Sequence, residues 1–318
     1  MAKQSGLGDN FYVAGYDLSG DVASLDQITT PWDVIDFTTV KDFAHERALT
    51  LRTGDMQFTT FYDQVGTGTV APAVPATTVP VVSTYNWFVL VSIVGGTMSN
   101  VVINGVSVGS GAGIYVLPPF GTITLTYTVA PTWTWSALGA EHQALSTLPR
   151  TDTIATYFRG TAIGGPAASL NCKQINYDWT RDNTANLTGK IEMQGNNFGL
   201  EWGKQLTNGI RGDTAATNGA SVNDGGATAF GAQAYLQLIS FSGTSVDVIV
   251  QDSADNASFA NVAGLDFGAQ TAAPFVSRLA ISNTSTLRQY VRVITTGTFT
   301  YARFLVMYVR NPIAGVSF

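Results

Sequence analysis

Between Ala167 and Gln194 the order of apolar and polar residues reads as two long facing strands. Leu170 and Cys172 alternate with polar neighbours, the phase slips at Gln174, and alternation resumes through Ile175, Tyr177 and Trp179. Side chains along a strand keep one parity, so the slip predicts a β-bulge. Asp178–Asn186 is rich in Asp, Asn and Thr and is expected to turn. The return leg alternates Leu187, Gly189, Ile191 and Met193. A hairpin this long is expected to project beyond an ordinary sheet and to need a partner or a guard along its edges. The partner expected is another copy of the chain, with Gln174, Tyr177, Trp179, Arg181, Asp182 and Lys190 as candidate assembly contacts.

The same pattern runs along the rest of the chain. Phe11–Val13 is a short extended piece among glycines, expected to form a mobile or strained terminal arm. Over Asp33–Arg52, Val40, Phe43, Ala44 and Ala48 approximate helical spacing, and Asp36, Thr38 or Thr39 can cap, so a helix of two to three turns is expected. Gly54–Asp63 reads as a strand with Met56, Phe58, Thr60 and Tyr62 on one face. Gln64–Val79 has the composition of an extended linker. Strands are expected at Asn86–Ile93, Ile114–Leu117, Thr122–Thr128 and Thr132–Ser136. Val101–Val108 is expected to be a hairpin turning at Asn104-Gly105. Glu141–Leu148 suits one helical turn or two, Thr151–Arg159 a strand, and Asn197–Leu206 a last strand or loop. Thr214–Ala227 reads as a second linker. Strands then recur at Gln233–Phe241, Ser245–Gln251, Phe259–Val262, Val276–Ile281, Gln289–Thr295 and Ala302–Arg310, the spacing of a sandwich.

Charge divides this pattern into units. From Gln64 to Ala140 there is no Asp, Glu, Lys, Arg or His. That stretch is read as an uncharged β module inserted into a discontinuous core of residues 1–63 and 141–213, followed by a sandwich over 214–318. Net charge is −6, and residues 1–63 hold ten acids against four bases. An acidic chain is a poor candidate for a nucleic-acid reader. Charged residues make up 12% and hydrophobic ones 45%, a turn-rich β composition rather than a disordered one. The opening MAKQSGLGDN has no export-signal character and no apolar run is long enough to span a bilayer. A soluble protein made in the host cytoplasm, without membrane insertion, is expected.

Chemistry finds few candidates. His45 and His142 each adjoin a glutamate, but neither pair has metal-ligand spacing. Gly105–Gly109 matches the letters of a nucleophile elbow, yet a hairpin turn replaces the strand-to-helix turn that the motif needs. Asp252–Asn256 reads as a polar turn, since calcium needs six or more oxygens. Cys172 is expected to be buried and inert. Trp133, Trp135, Tyr127 and Tyr115 are expected to fill the core of the small module. No catalytic residue, metal or cofactor is expected, and the protein is not expected to be an enzyme.

The run GDMQFTTFYD, followed by TDTIATYFRGTAIGGPAASLNCKQINYDWTRDNTANLTGKIEMQGNNFGLEWG, resembles the core of major tail proteins of long-tailed bacteriophages. VVINGVSVGSGAGIYVLPPFGTITLTYTVAPTWTW is similar to a small β module of actinobacterial phage proteins. The C-terminal unit, with FGAQAYLQLISFSGTSVDVIVQDSADNASF and LRQYVRVITTGTFTYARFLVMYVRN, is similar to immunoglobulin-like or galactose-binding-like sandwiches on virion proteins. The resemblance implies a mainly β fold: a tail-tube-like sandwich or barrel core with one short helix and a long hairpin, plus two additional β modules. It also implies hexameric rings stacked into a tail tube that delivers DNA. The implied partners are the chain itself and the tape-measure, tail-terminator and distal-tail proteins, with DNA passing unbound. The alternative is a capsid-decorating or virion-surface adhesion protein that binds host glycans.

Overall fold

A computed structural model describes residues 8–41, 43–61, 69–85, 88–138, 145–146, 151–181 and 187–313. The first strands are β1 (Asn10–Val13), β2 (Tyr16–Asp17), β3 (Val22–Thr29), β4 (Trp32–Asp36), β5 (Arg47–Arg52) and β6 (Asp55–Phe61). The uncharged stretch holds β7 (Pro80–Val82), β8 (Phe88–Val94), β9 (Thr97–Ile103), β10 (Val106–Gly109), β11 (Gly113–Leu117), β12 (Thr122–Val129) and β13 (Thr132–Leu138). Then come β14 (Thr153–Phe158), β15 (Pro166–Arg181), β16 (Leu187–Gly195), β17 (Glu201–Gln205), β18 (Arg211–Asp213) and β19 (Val222–Asn223). The last four are β20 (Ala232–Ser253), β21 (Ala260–Gln270), β22 (Phe275–Ala280) and β23 (Tyr290–Arg310). The fold is mainly β.

One sheet of fourteen strands runs in the order β2-β1-β14-β15-β17-β23-β20-β21, with the remaining strands paired at its sides. β17 hydrogen-bonds to both β15 and β23, so this sheet crosses the boundary drawn at residue 213. A buried cluster binds the two parts further. Tyr12, Ile154 and Phe158 pack with Tyr235, Leu305 and Met307. Gln237 adds a buried polar clasp. Its amide donates to the Tyr12 carbonyl at 3.2 Å and the Thr156 hydroxyl at 2.7 Å, and its oxygen accepts from Gly15 N–H at 2.9 Å. Because β1 is buried there, the expected mobile terminal arm is corrected for residues 10–13: Phe11 and Val13 are core residues.

The bulge sits where alternation predicted it. Gln174 pairs with Met193 and Asn176 with Glu192, leaving Ile175 as the extra residue. Before it Leu170 and Cys172 point inward; after it Tyr177 packs against the same core. Burial pushes the Cys172 thiol up to about 12. The return strand is guarded by its own chain, not left open. β16 pairs with β6 from Thr188↔Phe61 to Gln194↔Asp55, and β6 pairs with β3.

The uncharged stretch folds on its own core of Val89, Val91, Leu117, Leu125, Trp133 and Trp135, among others. A four-stranded sheet, β10-β9-β12-β7, faces a three-stranded one, β11-β8-β13. The hairpin turn at Asn104-Gly105 has φ of +49° and +81°, the left-handed pair that a two-residue turn needs. The second half of the expected linker lies along this module. Trp133 donates to the Pro72 carbonyl at 2.7 Å and Tyr127 to that of Pro75 at 2.5 Å.

In the C-terminal part, four of the six expected strands merge into two. β20 and β23 pair along nearly their whole lengths and bend together near Gly243 and Gly297. At Gly243 (φ +152°) a Cβ would lie 2.4 Å from the Phe299 Cα, and at Gly297 (φ +108°) 2.4 Å from the Ser245 carbonyl oxygen. The Ser-Gly-Thr and Thr-Thr-Gly-Thr segments are therefore corners in paired strands and not hairpin turns. The expected second linker is also corrected. Thr217 exchanges backbone hydrogen bonds with Thr295, Gly219 donates to Val293, and β19 pairs with β23.

Candidate functional site

The segment expected to be a helix is instead a two-stranded arm. β4 and β5 pair in the register Val34↔Leu49, Ile35↔Ala48 and Asp36↔Arg47, and, among the described residues, with no other strand. Two local causes favour this over a helix. Trp32, Val34 and Ile35 suit strands. Asp36, an expected helix cap, forms a turn instead. Its carboxylate accepts from Thr38 N–H at 2.9 Å and from the Thr38 hydroxyl, while that hydroxyl oxygen accepts from Glu46 N–H at 2.9 Å. Such side-chain bonds compete with helical ones. The bonds from Thr38, with His45 Nδ1 at 2.9 Å and Arg47 beyond it, hold the Asp36 carboxyl below its usual range.

The arm carries exposed apolar side chains on both faces, among charged ones. Trp32, Val34, Ile35, Phe37, Leu49 and Leu51 are all about half exposed or more, and Val40 and Phe43 at the tip are fully exposed. Alternation sends Val34 and Leu49 to one face and Ile35 and Phe37 to the other. A lone two-stranded hairpin is marginal in water, and exposed aromatic and aliphatic side chains grouped in this way mark an interaction surface.

The root of the arm is clamped. The Arg52 guanidinium lies 3.9 Å from the buried Glu201 carboxylate, which pairs with Arg278 at 2.8 Å. Tyr235 donates its hydroxyl to Glu201 and accepts from Arg278 Nε at 3.0 Å. Arg278 also stacks on the Phe198 ring at 3.7 Å. A Cβ on Gly54 would meet the Leu200 nitrogen at 2.2 Å, and one on Gly199 the Arg52 Nε at 2.5 Å. Chain thus passes through the root with no spare room, and the exposed arm leaves from a fixed point.

Of the six assembly contacts expected on the long hairpin, the five described ones do not gather into one exposed patch. Tyr177 and Trp179 meet edge to face with centroids 5.4 Å apart. Trp179 covers Gly189, where a Cβ would fall 2.9 Å from the indole. Gln174 is half-buried and donates to the Asn176 carbonyl at 3.2 Å. Arg181 and Lys190 are exposed, and Asp182 lies outside the described residues.

The remaining candidates are settled by their neighbours. Asp255 accepts from Ala257 and Ser258 N–H, and Asp252 pairs with Arg288, so that loop is a hydrogen-bonded turn. Trp133 and Trp135 are core residues. His142 lies outside the described residues, as does most of Glu141–Leu148; Leu145 and Ser146 are helical. Among the described residues no group of three or more His, Cys, Asp or Glu can hold a metal.

A second feature was not anticipated. Trp202 on β17 is 48% exposed beside a cleft of about 480 Å³ lined by Pro166, Lys204, Asp224, Tyr308 and Arg310. The sequence signal was the Glu-Trp-Gly-Lys alternation: Glu201 and Gln205 are buried, so Trp202 and Lys204 face outward.

No family model matches the chain, and no curated protein matches it. Among solved structures, the crystal structure of phage SPP1 Dit protein, titled a paradigm of hub adsorption apparatus in Gram-positive infecting phages, aligns with 95% of this chain and 99% of that one at 8% identity. Its TM-score is 0.28, and a superposition this loose carries no argument.

Proposed function

We propose that this chain is a structural virion subunit that assembles with copies of itself, using the β4–β5 arm as the joint. The observation that carries this reading is the arm itself: a hairpin with exposed apolar side chains on both faces, rooted on a buried cluster. A head-to-tail contact of this kind, arm of one copy on the body of the next, closes into rings when the rotation allows. The likeness of the sequence to major tail proteins supplies the setting, a bacteriophage tail in which rings stack into a tube. Tape-measure, tail-terminator and distal-tail proteins are then its neighbours. DNA carries about one charge per 1.7 Å of axis, so acidic groups facing a bore keep it from sticking. Asp26, outside the arm, is exposed and suits that task; Asp17, buried and bonded to Ser19 at 2.6 Å, does not. On this reading the protein is not an enzyme.

Electron microscopy of the purified chain tests the reading. Rings or hollow rods of one diameter are expected, together with their loss when residues 33–51 are replaced by a short Gly-Ser turn. A wild-type chain that stays monomeric at high concentration, or an armless chain that forms the same particles, overturns it.

A further inference from the structure

We propose that the cleft beside Trp202 is a saccharide-binding site that stacks one sugar ring on the indole. The platform is built by the sheet. β17 is pressed so closely on β23 that a Cβ at Gly203 would fall 2.1 Å from the Tyr308 carbonyl oxygen. This closeness sets Trp202 and Lys204 at the lip of the cleft, with Tyr308 and Arg310 behind them. The Tyr157 ring supports the indole edge to face, with centroids 6.3 Å apart at 80°, and leaves it 48% exposed. A flat aromatic surface of that kind suits a partner with one apolar face and a polar rim.

The polar side fixes the class of ligand. Asp224 accepts from Lys204 at 2.7 Å, Tyr308 at 2.6 Å and Arg310 at 2.7 Å. Burial pushes its carboxyl up, but these bonds and the Arg310 charge outweigh that and hold it below the usual range. Arg310 is spent further on the Thr228 hydroxyl and the Leu287 carbonyl. Arg310 is thus fully engaged, and Lys204 shares the one carboxylate with it, so the cleft keeps one positive charge, on the half-exposed lysine. A stacked nucleotide, whose phosphate would meet that charge, is the competing ligand, and its binding in place of every sugar overturns the proposal. What the cleft offers a ligand is directional. Lys204, whose side chain is 44% exposed, has three N–H donors and one is used here; Asp224 Oδ1, which accepts only from Lys204, keeps one lone pair. Sugar hydroxyls, which both donate and accept, fit that pair while the ring's C–H face lies on the indole. The exposed tip of the arm lies on other strands, although Glu201, beside Trp202 on β17, belongs to the cluster at the arm's root.

Isothermal titration and saturation-transfer NMR of the full chain against neutral glucan, galactan, rhamnan and N-acetylglucosamine oligosaccharides test the proposal. At least one is expected to bind saturably in the millimolar range or tighter, as for small polar ligands on an open cleft. W202A is expected to weaken it about tenfold or more, W202F to retain most of it, and D224N to weaken it; V40S/F43S on the arm should leave it unchanged. No saturable binding across the panel overturns the proposal. So does binding that W202A leaves intact. A W202A chain that loses self-association but not sugar binding also overturns it, since Trp202 then belongs to a protein interface.

Discussion

Replacing Arg278 by methionine probes the cluster that holds the arm's root and the sheet seam together. Methionine keeps the apolar stem and deletes the guanidinium. Glu201, whose side chain is fully buried, is left with the Tyr235 hydroxyl and with Arg52 at 3.9 Å. Breaking a buried pair by removing one partner costs about 3–5 kcal/mol. Loss of the stack on Phe198 adds about 1 kcal/mol. The Tyr235 bond, about 1.5–3 kcal/mol when the acceptor is charged, survives and keeps the total near the lower end, about 4 kcal/mol. The double variant E201L/R278M removes both buried charges. Its remaining cost is the orphaned Tyr235 hydroxyl and an Arg52 without its acid, about 2–3 kcal/mol. E201L alone leaves Arg278 buried against Arg52 and is expected to cost about 3–5 kcal/mol. The double variant should therefore be no worse than either single, a coupling of about 3 kcal/mol or more. Urea unfolding at equal m-value measures the energies. Hydrogen exchange should place the loss on β17, β20 and β22 and spare β8–β13. Additive single effects, or an R278M chain within about 0.5 kcal/mol of wild type, would refute the reasoning.

Three further outcomes are expected. V40S/F43S removes two fully exposed apolar groups; it should change unfolding by no more than about 0.5 kcal/mol while reducing self-association in sedimentation velocity. Asp247 is raised to about 6 by burial and by its neighbour Asp266. The folded state then holds a proton that the unfolded state releases near pH 4, so stability falls as pH rises from about 4 to 6. The loss is about 1 kcal/mol after allowing for solvent screening; D247N should flatten that part of the profile, read by thermal unfolding across pH. Cys172, buried with its thiol raised to about 12, should react with Ellman's reagent only when the chain is unfolded, and a fast native reaction would contradict its placement.

The parts of the fold legible in the sequence are those where burial imposes a period. Met56 and Phe58, Ile191 and Met193, and Ile123 and Leu125 alternate because one face of each strand meets a core. The slip at Gln174 was readable for the same reason, since a bulge changes which parity is buried. Asn104-Gly105 was readable because its backbone requirement is local. The arm was not. With both faces of β4 and β5 open, no alternation is enforced, and the chance spacing of Val40, Phe43, Ala44 and Ala48 passed for a helix. The corners at Gly243 and Gly297 carry the letters of turns, and only the partner strand decides between a turn and a bend. The outward side of Trp202 was half legible, because its parity follows from Glu201 only once Glu201 is known to be buried.

This failure of pattern at the arm has a physical consequence for assembly. A segment whose side chains meet no core in its own chain gains little from folding alone, and two strands cannot repay their own ordering. Its order is then tied to whatever covers it. When a neighbouring copy does so, the ordering cost is paid at that moment and the contact stays weak at low concentration. The clamped root lowers that cost. Arg52, Gly54 and Gly199 fix where the arm leaves the sheet, so only the part beyond the root must be ordered on docking. Loosening the root, for instance with R52A, should therefore weaken the proposed assembly even though Arg52 sits at the root, away from the exposed tip. Sedimentation velocity on R52A against V40S/F43S separates the effects. The tip variant loses the contact at every temperature. The root variant loses it first on warming, as the entropy of the released arm grows in weight. An R52A chain that assembles as well as wild type at every temperature would show that the root does not preorganise the arm.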